Sequence, residues 1–264
     1  MDSKIIKYLL VTFIFCFKVN ALEFKGKFIQ GHFIIGITNS NEKITVDKKE
    51  IKVSKNGYFA FGIGKDRKFD IVITEGNKKI VKKIQKREYK IQRIDGLPEK
   101  KVTPPEEFYE RIKKENQLIA KARSIDSNLT FFKDEFIVPV EDSIITGVYG
   151  SQRILNGIPK WPHYGLDFAQ KKGTPVKAMN NGIVTLAEKD LFYTGATLIF
   201  DHGHGISTLY MHMNEIFLNV GDHVKKGDIV GTVGASGRAT GPHLDIRLNW
   251  FDVRLDPATI LNIE

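Results

Sequence analysis

Three short stretches hold the residue types that could do chemistry: His163-Tyr164-Gly165-Leu166-Asp167, His212 within Leu209-Tyr210-Met211-His212-Met213, and Gly241-Pro242-His243-Leu244-Asp245. Asp167 stands between Leu166 and Phe168, and Asp245 between Leu244 and Ile246. A carboxylate among such neighbours, once buried, needs a hydrogen-bond donor, a cation or a metal as partner. If Pro242–Arg247 is extended, His243 and Asp245 sit at i and i+2 and project from one face. Imidazoles and carboxylates converging on one groove suit Zn²⁺, whose catalytic sites typically use three protein ligands and leave a fourth position for water. Cys16 is the only cysteine and lies in the leading apolar stretch, so a metal in the mature chain must be held by His and carboxylates. Of the other histidines, His32, His202, His204 and His223 read as hydrogen-bonded or surface residues, with His202-Gly203-His204-Gly205 as a hairpin turn.

The elements that must position these groups read as mainly β. Residues 22–95 hold short β-branched and aromatic runs: Lys27–Gly36, Ile44–Val46, Ile51–Val53, Tyr58–Phe61 and Phe69–Ile73. Breakers at Asn41, Lys55-Asn56-Gly57 and Glu75-Gly76-Asn77 separate them, which predicts a small accessory domain of sandwich type. Residues 96–130 form a connector and a helix. Pro105-Glu106-Glu107-Phe108 opens the helix, since proline and acidic side chains suit a helix N-terminus, and it runs to about Ile125. Its diluted apolar stripe of Phe108, Ile112, Leu118, Ile119 and Ala122 predicts packing across the two domains or a link between them. From residue 131 to 264, apolar runs alternate with Gly-rich turns and no long helical pattern intervenes, which predicts an antiparallel β-sheet domain. Within Val220–Gly231, two strands are expected to flank a tight turn at Lys226-Gly227.

Residues 1–21 have the layout of a secretory signal: Lys4 and Lys7, the apolar run Tyr8–Phe17, then Val19-Asn20-Ala21 with small residues where a signal peptidase reads. The apolar run is short for a bilayer span, and the expected destination is across the inner membrane, in the periplasm. The chain carries a formal net charge of +9. A positive field favours nucleic acid, anionic lipid or an acidic polymer. No nucleic-acid module signature is present, so nucleic acid is not expected as a partner.

From Gly147 to Asp256 the sequence resembles the lysostaphin-type (LytM-like) zinc endopeptidases, which cut peptide cross-links of bacterial cell walls. The resemblance rests on Gly147–Arg153, His163–Asp167, Asp201–Gly205, Leu209–His212, Gly221–Gly227 and Gly234–Leu244, in that order. It implies a compact β-sheet fold, the duplicated hybrid motif, with Zn²⁺ as cofactor and peptidoglycan peptides as substrate. Membrane-proximal or cell-division proteins are the further partners it suggests. His163 and Asp167 would be metal ligands, and His212 and His243 would handle the water's proton and the developing charge. The family normally ends its last motif as His-x-His, and the second His is the third ligand. Here that position is Asp245, which is itself a competent zinc ligand. Its negative charge would weaken the metal as a Lewis acid. The resemblance therefore implies an active enzyme, with a catalytically degenerate binding module or hydrolase activator as the alternative. Tyr149, Asn156 and Tyr193 are the candidates for lining a substrate groove.

Overall fold

The computed structural model describes residues 22–39, 41–96, 99–261 and 263. The signal reading of residues 1–21 falls outside them. The β-branched and aromatic runs of the first part become β1 (Glu23–Lys25), β2 (Phe33–Ile37), β3 (Ile44–Val46), β4 (Lys49–Ile51), β5 (Tyr58–Gly62), β6 (Ile71–Glu75) and β7 (Lys78–Lys82). They form two antiparallel sheets, ordered β1-β2-β5 and β4-β3-β6-β7. Ile34, Ile44, Phe59, Phe61, Ile71 and Ile73, drawn from both sheets, share one core, which gives the expected sandwich. Gly36 is required there: a Cβ on it would overlap the Phe59 ring.

The next strand, β8 (Ile91–Ile94), precedes helices α1 (Glu99–Val102) and α2 (Tyr109–Arg123). The second part then begins with β9 (Ile144–Gly147), β10 (Gln152–Leu155), β11 (Ile158–Pro159), β12 (Leu166–Ala169) and β13 (Pro175–Lys177). The long strands follow: β14 (Gly182–Leu191), β15 (Gly195–Gly203) and β16 (Ile206–Met213). After the short β17 (Glu215–Ile216), β18 (His223–Val224) and β19 (Ile229–Thr232) come β20 (His243–Trp250), β21 (Val253–Leu255) and α3 (Ala258–Leu261).

The main sheet runs β18-β14-β15-β16-β20-β12-β9, with β21 paired to β20. Its pairings are antiparallel, as the alternating apolar runs predict. One face carries Leu198, Phe200, Tyr210, Leu244, Ile246 and Leu248 into the main core. That core also takes in Phe33, Ile35 and Ala60 from the sandwich, so apolar packing joins the two parts. The opposite face presents Leu186, Ile199, Leu209 and Met211, on which α2 rests through Ile119 and Ala122. The helix packs on this sheet face.

Two details depart from the sequence reading. β8 lies within the stretch assigned to the first domain, yet it pairs in parallel with β10, with Gln92 opposite Arg153. Hydrogen bonds therefore cross the expected boundary. The turn at Lys226-Gly227 exists, with Gly227 at φ 93° and the Asp228 amide donating to the Lys225 carbonyl. Its flanking strands do not pair with each other: β18 pairs with β14, while β19 pairs with β13 and β17. The apolar alternation fitted a hairpin, but each strand had a longer neighbour elsewhere to satisfy its backbone groups. By contrast, the turn at His204-Gly205 does close a hairpin, β15 to β16, with both residues at positive φ.

Phe59 is fully buried where the two sandwich sheets meet. Phe59→Ala is expected to cost about 3–5 kcal/mol of stability, read as a lowered midpoint in chemical denaturation followed by circular dichroism.

Candidate metal centre

Antiparallel register sets the centre of the site. Asp167 on β12 lies directly opposite Asp245 on β20. Both side chains are buried, with relative exposures of 7% and 2%. Like charges directly opposed across a pair of strands destabilise it unless something cationic is shared between them. His163, buried in the loop before β12, brings Nε2 to 3.1 Å from Asp167 Oδ1 and 3.3 Å from Asp245 Oδ2. One ligand atom from each of the three residues lies within 4.8 Å of the other two.

The donor set fits a divalent metal on three counts. Asp167 Oδ1 and Asp245 Oδ1 are buried and accept no hydrogen bond, a costly arrangement for carboxylate oxygens without a cation. Gly147 and Gly165 border the same carboxylates, and a Cβ at either would run into Asp167 Oδ2 or Asp245 Oδ1 respectively. The imidazoles are also held so that Nε2 is available. His163 Nδ1 faces the Val148 carbonyl at 3.4 Å, His212 Nδ1 the Ser236 carbonyl at 2.9 Å, and His243 Nδ1 the Gly241 carbonyl at 2.9 Å. A carbonyl only accepts, so in the neutral rings of His212 and His243 Nδ1 carries the proton and Nε2 keeps its lone pair, whereas His163 Nε2 faces two carboxylates and would serve as a ligand atom once a metal takes the place of its proton. Such outer partners are what orient imidazole ligands.

His212 reaches this face through a β-bulge. Regular alternation along β16 would put Leu209, Met211 and Met213 on one side. Instead Leu209 and Met211 join the α2 face while Met213 enters the main core. The register between β15 and β16 slips in this stretch, with Ala196 opposite Met213 and Leu198 opposite Tyr210. His212 absorbs the extra residue at φ 63°, in the left-handed region that few non-glycine residues adopt. Its ring then lies 4.9 Å from that of His243, centroid to centroid, and His243 Nε2 lies 3.9 Å from Asp167 Oδ1.

The electrostatics divide the histidines. Burial works against charging His163, but Asp245 and Asp167 outweigh it and raise its pKa above the ordinary value. At His212 burial wins, and the pKa is pushed down to about 4, with His243 acting in the same direction. Burial also pushes Asp245 upward, yet Arg247 and His163 overrule it and hold the carboxyl well below the usual range. Arg247 donates from Nη2 to Asp245 Oδ2 at 3.2 Å, while Arg153 Nη2 stands 3.5 Å from Asp167 Oδ2.

The structure therefore brings together His163, Asp167, His212, His243 and Asp245. The three groove candidates fare differently. Tyr149 is buried and donates its hydroxyl to the Arg254 carbonyl at 2.8 Å, against Tyr89 and Tyr164. Its ring is committed to the contact between the two parts of the chain, which corrects the groove assignment. Asn156 lies in the exposed turn between β10 and β11 at φ 47°, its amide bonded to the Ile94 carbonyl. Tyr193 is better placed. With Tyr109, Ile112, Asn116 and Gln117 it lines an open groove of ≈ 520 Å³ beside α2. Sequence reasoning missed Arg247, although the i, i+2 rule that joined His243 to Asp245 also joins Asp245 to Arg247. It also missed Arg153 and the loop carbonyl of Ser236, for which no local signal exists. His202, read as structural, is fully enclosed between the Asn181 carbonyl and the Thr208 hydroxyl.

Residues 161–257 match the model of peptidase family M23. Among curated proteins, the chain is 39% identical over 89 residues to the DD-carboxypeptidase/endopeptidase Mpg of Neisseria meningitidis serogroup B, a stretch covering 33% of this chain and 20% of that protein. It is 38% identical over 87 residues to the peptidoglycan DD-endopeptidase ShyA of Vibrio cholerae, again 33% of this chain and 20% of the relative. The alignments thus span about a fifth of either relative. The crystal structure of a candidate peptidase M23 from Pseudomonas aeruginosa superposes with a TM-score of 0.63 at 27% identity, covering 90% of this chain and 96% of the other. The C-terminal part of this chain is a peptidase family M23 domain of the lysostaphin type, on the mainly β fold that its sequence predicts.

Burial should keep two histidines neutral far into acid. Ring resonances of His202 and His212, both with pKa pushed down to about 4, are expected to stay at their neutral positions from pH 7 to about 5 in NMR titrations of metal-free protein. An unfolded histidine titrates near 6.5. Between that value and 4 the unfolded chain binds more protons than the folded one, so these two groups make stability fall as pH drops through this window. Titration of both rings near pH 6.5 in folded protein would contradict the burial described.

Proposed function

We propose that this chain is an exported zinc metalloendopeptidase that cleaves peptide cross-links of peptidoglycan. The observation that carries this reading is the pair of opposed, buried carboxylates whose Oδ1 atoms accept no hydrogen bond, closed by His163 Nε2. The family match and the relatives named as DD-endopeptidases support it. His163, Asp167 and Asp245 would hold Zn²⁺, which when bound supplies Lewis acidity to a peptide carbonyl and to water. The export reading of residues 1–21 belongs to the same proposal. Among the described residues no helix is long and apolar enough to cross a membrane.

The chain's own residues then handle protons and charge. His212 and His243 lie side by side with Nε2 lone pairs available, and one of them takes the proton of the attacking water. As the water oxygen bonds to the carbonyl carbon and the C–N bond breaks, that imidazolium gives the proton to the leaving amine. The second imidazole steadies the charge that develops meanwhile. Replacing the family's imidazole with the Asp245 carboxylate adds one negative charge. The Arg247 guanidinium on Asp245 Oδ2 offsets it and leaves Oδ1 as the free ligand atom.

Purified full-length chain is expected to bind about one zinc per molecule, measured by competition with a chromogenic chelator. It should also cleave cross-linked muropeptides, read by liquid chromatography. His163→Ala should abolish both activities, and Asp245→Asn should weaken zinc binding by more than about tenfold, each with an unchanged circular dichroism spectrum. A folded, metal-free protein that cuts nothing and stimulates a second wall hydrolase would overturn the enzyme reading in favour of a binding module.

A further inference from the structure

The loop between β19 and β20 does more than anchor histidines. It supplies the Ser236 carbonyl to His212 and the Gly241 carbonyl to His243, and Arg238 lies between these two anchors. The Arg238 amide donates to the Tyr193 carbonyl, and its guanidinium lies 4.5 Å from the centroid of the Tyr193 ring. Among the described residues this guanidinium forms no ion pair with a carboxylate. Burial, together with the charges of Arg153 and Arg247, lowers its pKa. A half-buried cation placed against two others is an unfavourable arrangement that an anion would relieve.

The surrounding charges point the same way. Arg247 and Arg153 are each already shared with one carboxylate of the metal group. Behind Arg247 lies Arg123 at the end of α2, buried, with Nε and Nη1 lacking acceptors. Burial, and after it the charge of Arg247, push the pKa of Arg123 down, and Asp252 offsets only part of that effect. Arg238, Arg247 and Arg153 thus stand around the two carboxylates Asp167 and Asp245, and a divalent ion between those carboxylates would add to the positive excess. Guanidinium stays charged at any physiological pH, so the excess cannot be removed by losing protons. It presents a planar fork that matches a carboxylate in two parallel hydrogen bonds.

We propose that Arg238, flanked by Arg247 and Arg153, forms a carboxylate-binding subsite beside the paired histidines, and that the peptide cut there carries a free carboxylate close to the scissile bond. The subsite deepens the peptidase reading and rests on it for the identity of the reacting bond. Tyr193 joins the subsite to the groove along α2, where the rest of a peptide has room to lie. The carboxylate could be a chain terminus or a side-chain group, and the chemistry of recognition is the same for both.

The test compares three synthetic versions of one cross-linked stem peptide: all carboxyls free, the terminal carboxyl amidated, and the side-chain carboxyl amidated. With zinc-loaded full chain, one of the two amides is expected to lower kcat/KM by about tenfold to a hundredfold, chiefly through KM, as expected for the loss of a charge-assisted hydrogen bond. Which amide does so identifies the source. Arg238→Gln should bring the free acid down to the level of that amide, and Arg238→Lys should restore part of the difference. Equal cleavage of all three peptides by the wild type overturns the subsite while leaving the peptidase reading intact. A second readout avoids catalysis altogether. In calorimetry with metal-free protein, the free acid should bind more tightly than the amide, and Arg238→Gln should erase the difference. If that difference persists in a protein that cleaves nothing, the peptidase reading falls and the subsite stands; if the binding difference is absent, the subsite falls.

Discussion

Two carboxylates, each with apolar residues on either side in its strand, face one another across an antiparallel pair in the interior of a sheet. Both are buried, and two like charges so close are unfavourable unless cations or donors lie beside them. The protein instead surrounds them with hydrogen-bond donors and cations: His163 between them, Arg247 on Asp245 and Arg153 beside Asp167. Glycines stand at the two positions where a Cβ would displace a carboxylate oxygen. Much of what surrounds the site follows from holding this pair of carboxylates correctly aimed.

That constraint extends to parts of the chain far away in sequence. Arg153 lies on β10, in register with Gln92 of β8, and its Nε donates to Gln92 Oε1 at 3.4 Å. The last strand before the connector therefore helps place a cation beside the Asp167 carboxylate. Helix α2 covers the same sheet face from the other side and ends at Arg123, close enough to Arg247 for their charges to repel. The N-terminal sandwich adds Arg87, which binds the buried Asp256 at 2.6 Å. Segments before and after the connector thus meet around the candidate site, β8 through Gln92 on Arg153 and α2 on its sheet face.

In the proposed metal site, Asp245 stands where the resembling family is expected to carry an imidazole. A carboxylate is shorter than an imidazole and carries charge, so both reach and electrostatics must change. The strand delivers Asp245 opposite Asp167, and the next residue on that face, Arg247, takes one carboxylate oxygen. The other oxygen points into the group with no competing donor. On the proposed reading, Arg247 offsets the extra negative charge that Asp245 brings to the site.

The sequence by itself determined the mainly β architecture and the shared face of His243 and Asp245, while the grouping of these two with His163, Asp167 and His212 is what the motifs' resemblance to a known family implied. Apolar alternation, glycine-rich turns and the i, i+2 rule are local properties that any fold must respect. It also placed the end of the helix within two residues of Arg123, while α2 itself begins at Tyr109, after a single 3-10 turn at Glu106–Phe108 that follows Pro105. Only the tertiary structure decided which strands pair, so the turn at Lys226-Gly227 joins strands of different sheets and β8 crosses to β10. It alone disclosed the bulge that turns His212 toward its partners, the withdrawal of Tyr149 into the contact between the two parts, and the guanidinium cluster around Arg238. Those features arise from pairings between residues tens of positions apart. Such contacts leave no periodicity in the chain, because their energy belongs to the meeting of two segments and to neither one alone.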